Sequence, residues 1–354
     1  NKPNMEDFFV TPKTSQPSKR RLITIFGILG AFGVIATILV ISNSSASLSS
    51  PILAQLTLEE TEFQNFMTAH SKIYSSEEEY QARFQIFRDN LAYIRIFNSQ
   101  GNNWALGVNK YADLTFSEFK AKFSSYPVQR AEKNVVVLDP LTAPSAIDWT
   151  TKGAVTPVKN QGSCGSGWAF SASGAVEGAW YLSGHTILSL STQEILDCST
   201  TFGNNGCNGG TVDNAFKYII SKGLTSDQNY PYRGVDEACN KTKVAVVNAT
   251  ISNYTDVTPD NVNQLYAAVA KGPVSVSVDS SQEVWQFYKG GIVDKNCGTS
   301  LDHGVLIVGY NQTNTPAYWK VKNSWGTDWG EQGYIRIGVK NGAGVCGIQM
   351  QPSY

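Results

Sequence analysis

An α+β fold with a cleft between a helical half and a β half is what this sequence predicts, on three observations. Up to Lys222 the apolar stretches recur at helical spacing or are small and apolar on every face. After about residue 245 they give way to alternating or continuous β-branched runs separated by Gly, Asn and Pro. The side chains that could do chemistry are split between the two regions, which places them across a cleft. At 354 residues and 42% hydrophobic content the chain has room for two to three domains and a packed core. Lys+Arg 28 against Asp+Glu 29 gives a net charge of -1, a balance that suggests no basic face for nucleic acid.

In chain order, residues 1–21 are polar with five Lys/Arg and read as a cytoplasmic tail. Leu22 to Ile41 is a run of twenty residues without a charge, long enough to cross a bilayer as a helix. Basic residues before it predict a cytoplasmic N-terminus and a lumenal remainder, so residues 22–42 are expected to be a transmembrane signal-anchor. The competing reading is a cleaved signal peptide, whose apolar region is usually shorter, about 7 to 15 residues. Residues 43–56 are Ser/Ala/Leu-rich and read as a stalk. All six cysteines lie after residue 160, and N-x-S/T sequons stand at Asn43, Asn240, Asn248, Asn253 and Asn311. Both point to an oxidising, glycosylating secretory route. Zinc is the rival use of cysteine, but no C-x-x-C pair recurs at finger spacing.

A helical region follows, with Thr57 or Ser75/Ser76 as candidate caps ahead of Glu-rich first turns. Within it Glu79, Arg83, Phe87, Asn90, Ile94 and Asn98 are spaced 4, 4, 3, 4 and 4. At helical pitch that keeps them within roughly one 100° stripe, with Glu79 and Arg83 as a weak surface pair. Residues 124–144 lack helical periodicity and carry three prolines. Trp168 to Leu182 reads as a buried helix. Thr192–Leu196 and Val212–Lys222 read as two more, the latter stopped by Gly223. Strands are expected at 274–278, 304–310, 318–323 and 334–337.

Gln161-Gly162-Ser163-Cys164-Gly165-Ser166-Gly167-Trp168-Ala169-Phe170 is a small-residue turn opening into that buried helix, a good seat for a nucleophile, yet Gly167 offers no side chain. Of three histidines, His70 and His185 read as surface or structural. His303 lies at the mouth of an apolar strand, 136 residues after Gly167. Asn323-Ser324-Trp325-Gly326 sits at a strand end and could be no more than a glycine-rich turn with buried aromatics.

Taken together these stretches resemble the papain-like, cathepsin L-like cysteine proteases. Residues 161–170 resemble the signature C-G-S-C-W, with glycine at the second cysteine, and His303 falls at roughly the family's separation of 130 to 150 residues. Asn323 to Gly326 resembles the N-S-W-G motif. The six helical positions resemble the E-R-F-N-I-N propeptide pattern, and Gly107 to Asp113 resembles G-x-N-x-F-x-D with tyrosine for phenylalanine. The resemblance implies a papain-like two-subdomain fold, a helical half and an antiparallel β-barrel half, preceded by a small helical inhibitory prodomain. It gives the prodomain residues 57–140, with a strand crossing the cleft in reverse, and the peptidase domain residues 141–354, beginning near Leu141 to Ser145.

For the site, the resemblance implies that His303 exchanges the proton of a nucleophile at position 167, Asn323 orients it, and Trp325 shields the pair. Gln161 and the backbone N–H of residue 167 would hold the oxyanion. Gly209, Gly210, Val212, Ser277, Leu301, Gly304 and, at the pocket floor, Gln351 would line the substrate cleft. Disulfides would join Cys164–Cys207, Cys198–Cys239 and Cys297–Cys346, which uses every sulfur and leaves the reactive cysteine as the missing one. Cys164 as a substitute nucleophile lies three residues early and would orphan Cys207. No cofactor and no metal are implied. Peptide or protein substrates and the chain's own propeptide are, with a mature form in a lysosome or vacuole or secreted, while the membrane is expected as a partner through residues 22–42. The expected function is a cysteine endopeptidase proform, inactive as written. A natural pseudoprotease that binds without cleaving is the alternative, and a propeptide-type inhibitor acting in trans a third reading.

Overall fold

The first described helix, α1 (Ser50–Ala69), and the second, α2 (Glu77–Asn98), are held together by aromatic side chains rather than by helix propensity alone. The computed structural model describes residues 50–123, 134–140 and 143–354. The apolar run at 22–41 lies outside them, as do residues 124–133 and 141–142 of the expected cleft-crossing and processing stretch at 124–144. Among the described residues no helix is long and apolar enough to cross a membrane. Leu53 to Tyr354 form one compact unit.

Phe63 sits at the centre of the small helical core, its ring 5.2 to 5.9 Å from those of Phe66, Tyr74, Tyr80, Phe84 and Phe87. Ser76, not Thr57, is the working cap: its hydroxyl accepts from Glu79 N at 3.2 Å, while Glu79 Oε2 accepts from Ser75 N at 2.8 Å. Thr57 lies inside α1, whose start at Ser50 runs helix into the expected stalk. The expected Glu79–Arg83 pair is also corrected. Arg83 reaches 35 residues along the chain to Glu118 Oε2 at 2.8 Å and donates to Asp113 O at 3.1 Å, because α3 (Phe116–Phe123) folds back beside it. Asn90 Nδ2 donates to Ala112 O and Leu114 O at 2.8 and 2.9 Å. Asn98 clips both backbone atoms of Leu106. The patterned polar residues of α2 therefore fix the chain that follows it.

That chain includes β1 (Trp104–Leu106), which pairs antiparallel with β4 (Tyr288–Val293) and so adds a strand to the sheet of the C-terminal half. The remaining elements are β2 (Ala146–Asp148), α4 (Gly167–Leu182), α5 (Thr192–Cys198), α6 (Val212–Lys222), α7 (Val262–Val269), β3 (Val274–Val278), α8 (Glu283–Phe287), β5 (His303–Asn311), β6 (Tyr318–Lys322) and β7 (Tyr334–Gly338). The sheet order is β1-β4-β7-β6-β5-β2, with β3 on β5. One pairing departs from the antiparallel expectation, since β4 and β7 run parallel.

Strand β5 explains why one chain makes two halves. Its side chains alternate faces, so Leu306 and Val308 enter the helical core with Trp168, Ala172 and Phe216, whereas Val305 and Ile307 enter the β core with Val276, Trp285 and Val321. Every residue from His303 to Tyr310 is buried, as the continuous apolar run requires. The three disulfides form with the pairing the resemblance implied.

Candidate active site

Glycine at 304 is what lets the two halves meet. A Cβ there would lie 2.7 Å from Trp168 Cα and 2.9 Å from Trp168 N, so any side chain would push β5 off the first turn of α4. Gly210 serves the same end, since its Cβ would strike the Trp168 ring at 2.7 Å. With both glycines in place, His303 at the start of β5 comes against Gly167 at the start of α4.

His303 is 1% exposed. Its Nε2 stands 2.8 Å from Asn323 Oδ1, and Ser324 N donates to the same oxygen at 2.8 Å, which fixes the amide orientation. The imidazole therefore donates through Nε2–H and keeps Nδ1 as the basic nitrogen. Trp325 lies over the ring at 5.0 Å with a 20° interplanar angle, and Trp285 meets it edge-on at 6.4 Å. A Cβ at residue 167 would fall 2.3 Å from His303 Nδ1 and 3.0 Å from Gly304 O. In this chain the imidazole stands in the space that a side chain at 167 would need.

Gln161 is fully buried, but one of its amide hydrogens goes to Cys164 O at 2.9 Å while its Oε1 accepts from Ser324 Oγ at 2.7 Å. One amide hydrogen remains for the oxyanion role expected of it. Cys164 is bonded to Cys207, and no cysteine of the chain is free, which removes the substitute nucleophile. Among the expected cleft residues, Ser277 and Gly304 are register partners across β3 and β5. Val212 opens α6, and the neighbouring Asp213 accepts from Ser353 Oγ at 3.1 Å, tying that helix to the tail that carries Gln351. Leu301 packs against Gly347, whose Cβ would meet it at 2.7 Å.

Two features of the site carry no local sequence signal. The prodomain covers the tryptophan lid: Phe119 and Phe123 lie 5.4 and 4.7 Å from the Trp325 ring, and Lys110 Nζ donates to Trp325 O at 2.7 Å. Trp285 and Trp329 back the same ring.

Burial pulls the His303 pKa below the ordinary histidine range, against the opposing pull of its bond to Asn323 and of nearby Asp302. Its folded pKa thus lies under its unfolded value of about 6.5, and stability present above that pH is lost as pH falls through the folded value. With only three histidines, nitrogen-15 NMR of the imidazoles resolves this directly. The His303 midpoint is expected below the ordinary value, and a midpoint at or above it would contradict the burial argument.

Residues 143–354 match the model of the papain family cysteine proteases, and residues 63–119 match that of the cathepsin propeptide inhibitor domain. The chain belongs to the papain family. It is 43% identical over 304 residues to the senescence-specific cysteine protease SAG39 of Oryza sativa subsp. indica, covering 82% of this chain and 88% of that protein. It is 41% identical over 337 residues to a cathepsin L of Sarcophaga peregrina, covering 90% and 98%. The recombinant stem bromelain precursor superposes with a TM-score of 0.78 at 38% identity, covering 84% of this chain and 98% of that structure. The chain is a papain-like cysteine protease proform of cathepsin L-like type, and its fold is that of a peptidase with its propeptide.

Proposed function

We propose that the chain as written is a catalytically silent cysteine endopeptidase proform, with a Cys-His-Asn site from which the nucleophile has been removed at Gly167. The observation that carries this reading is His303 Nδ1, aimed at residue 167 while Nε2 is held by Asn323. Base, orienting amide and tryptophan cover are all placed around a position without a reactive atom. Six cysteines in three disulfides leave no other sulfur for the role. Gln161 and the backbone N–H of residue 167 remain as oxyanion donors, and Val212, Ser277, Leu301, Gly304 and Gln351 as an apolar pocket with a polar end. Such a pocket takes a hydrophobic side chain at the residue before the cleaved one.

The apolar run at 22–41 makes the precursor a type II membrane protein of the secretory route. Asn240, Asn248 and Asn253, all exposed, suit glycosylation there, and the mature domain starts near Leu141 to Ser145 on its way to a lysosome or vacuole. The second reading is a natural pseudoprotease, favoured by how well the imidazole fills the space beside Gly167.

The test uses the Gly167 chain after an added protease has removed the prodomain at acid pH. A fluorescent peptide with a hydrophobic residue at the pocket position is expected to bind saturably and to be recovered intact by mass spectrometry. Recovery of cleaved peptide, abolished by His303→Ala, would overturn the silent-site reading.

A further inference from the structure

Beside the His303–Asn323 pair, between α4 and the paired strands β5 and β6, lies a small cavity of about 20 Å³ lined by Lys159, Ser173, Glu177, Gly304, Lys322 and Asn323 among others. Its polar lining is unevenly satisfied. Asn323 is 3% exposed and its Nδ2 has no hydrogen-bond partner among the described residues. Lys322 Nζ is offered Thr156 Oγ1 at 3.1 Å, and burial pushes its pKa down to about 8. Glu177, 2% exposed, accepts from Leu190 N at 2.8 Å and Lys159 Nζ at 3.1 Å through Oε1, and from Thr156 Oγ1 through Oε2. A buried amide donor, a partly buried ammonium bonded to Thr156 and a carboxylate with one spare lone pair thus border one space. That space exceeds the roughly 10–15 Å³ that a water needs, and the water finds both donors and acceptors there.

We propose that Lys322 and Glu177 are positioning residues for the His303–Asn323 pair, acting through one buried water that accepts from Asn323 Nδ2 and Lys322 Nζ and donates to the Glu177 carboxylate. The inference rests on the protease reading of the site, for which it supplies the second anchor of the orienting amide. Asn323 Oδ1 is fixed by His303 and Ser324, but one end of an amide does not fix its plane. The water bond holds the other end, so the oxygen stays in the imidazole plane and the Nε2–H tautomer is kept. Charge on the Lys322–Glu177 side of the cavity then reaches His303 through two hydrogen bonds rather than through space.

The experiment uses the nitrogen-15-labelled chain with Gly167 retained. The Asn323 side-chain amide, assigned by its loss in Asn323→Asp, is expected to show a cross peak to a long-lived water. Lys322→Met and Glu177→Gln are each expected to speed exchange of the His303 Nε2 proton about tenfold, the loss of one hydrogen bond, while the core amide of Ile307 exchanges at its original rate. A missing water cross peak overturns the proposal even if both variants fail to fold. So does His303 exchange that changes only in step with Ile307. Because no step uses catalysis, an inactive Gly167→Cys protein would sink the protease reading and leave the bridge standing. An absent bridge would leave the protease reading untouched.

Discussion

Gly167→Cys is expected to turn a silent chain into an acid-active endopeptidase, with a gain in turnover on the order of a millionfold, the size of the loss when a triad nucleophile is deleted. The change adds one methylene and one sulfur to a site whose other parts are in place. His303 Nε2 is already held by Asn323, and Trp325 already covers the pair. The thiol enters at the first residue of α4, a helix of 16 residues whose N-terminal dipole favours the thiolate. The obstacle is local. A Cβ would stand 2.3 Å from Nδ1, so the imidazole must withdraw while pivoting about its bond to Asn323 Oδ1. Withdrawal exchanges a close contact for a thiolate–imidazolium pair, and the His303 midpoint then rises above its value in the glycine chain instead of lying below the ordinary range. Two readouts follow: self-processing between residues 130 and 145 on acidification, and hydrolysis of a hydrophobic-basic peptide. A folded Gly167→Cys protein that shows neither would end the protease reading.

How much of this was legible in the sequence depended on whether the signal was local. Strand β5 announced itself because a strand buried on both faces is a continuous apolar run, and α4 because a helix buried on all sides is small and apolar throughout. His303, Asn323 and Trp325 were legible through short motifs, and the structure brings them together beside Gly167. What escaped was set by partners distant in the chain. Strand β4 carries Gly290 and Gly291, has no alternation to read, and exists because β1 of the prodomain and β7 flank it. Gly291 needs its positive φ of 98° where Trp104 packs, a requirement visible only once β1 is in place. Arg83 has Glu79 one turn before it but bonds to Glu118, because Glu79 is already engaged by Ser75. The Lys322–Glu177 cluster gave no sign because a lysine on an alternating strand ordinarily faces water. The closure of the imidazole onto Gly167 follows from a missing side chain, and its extent depends on how far β5 approaches α4.

Phe63→Ala is expected to make the prodomain unfold at a lower temperature than the peptidase domain, which stays folded. Truncating a buried phenylalanine costs about 3–5 kcal/mol, and Phe63, 0% exposed, has ring contacts from both α1 and α2 and the turn between them. A unit of this size has only about 0.05–0.15 kcal/mol per residue to lose, so the change consumes most of its margin. The loss does not stop at α1 and α2. Asn90 and Arg83 hold residues 112–114, and those residues lead directly into α3, whose Phe119 and Phe123 cap Trp325. The expected record is a thermal melt split into two transitions. Amide exchange should rise across residues 57–123 and stay unchanged in β5 and β6, and a Leu58→Ala control at a half-exposed site should leave one transition. A single cooperative melt shifted by less than about 1 kcal/mol would show that β1 on β4 and the Trp325 contacts, rather than the aromatic core, hold the prodomain in place.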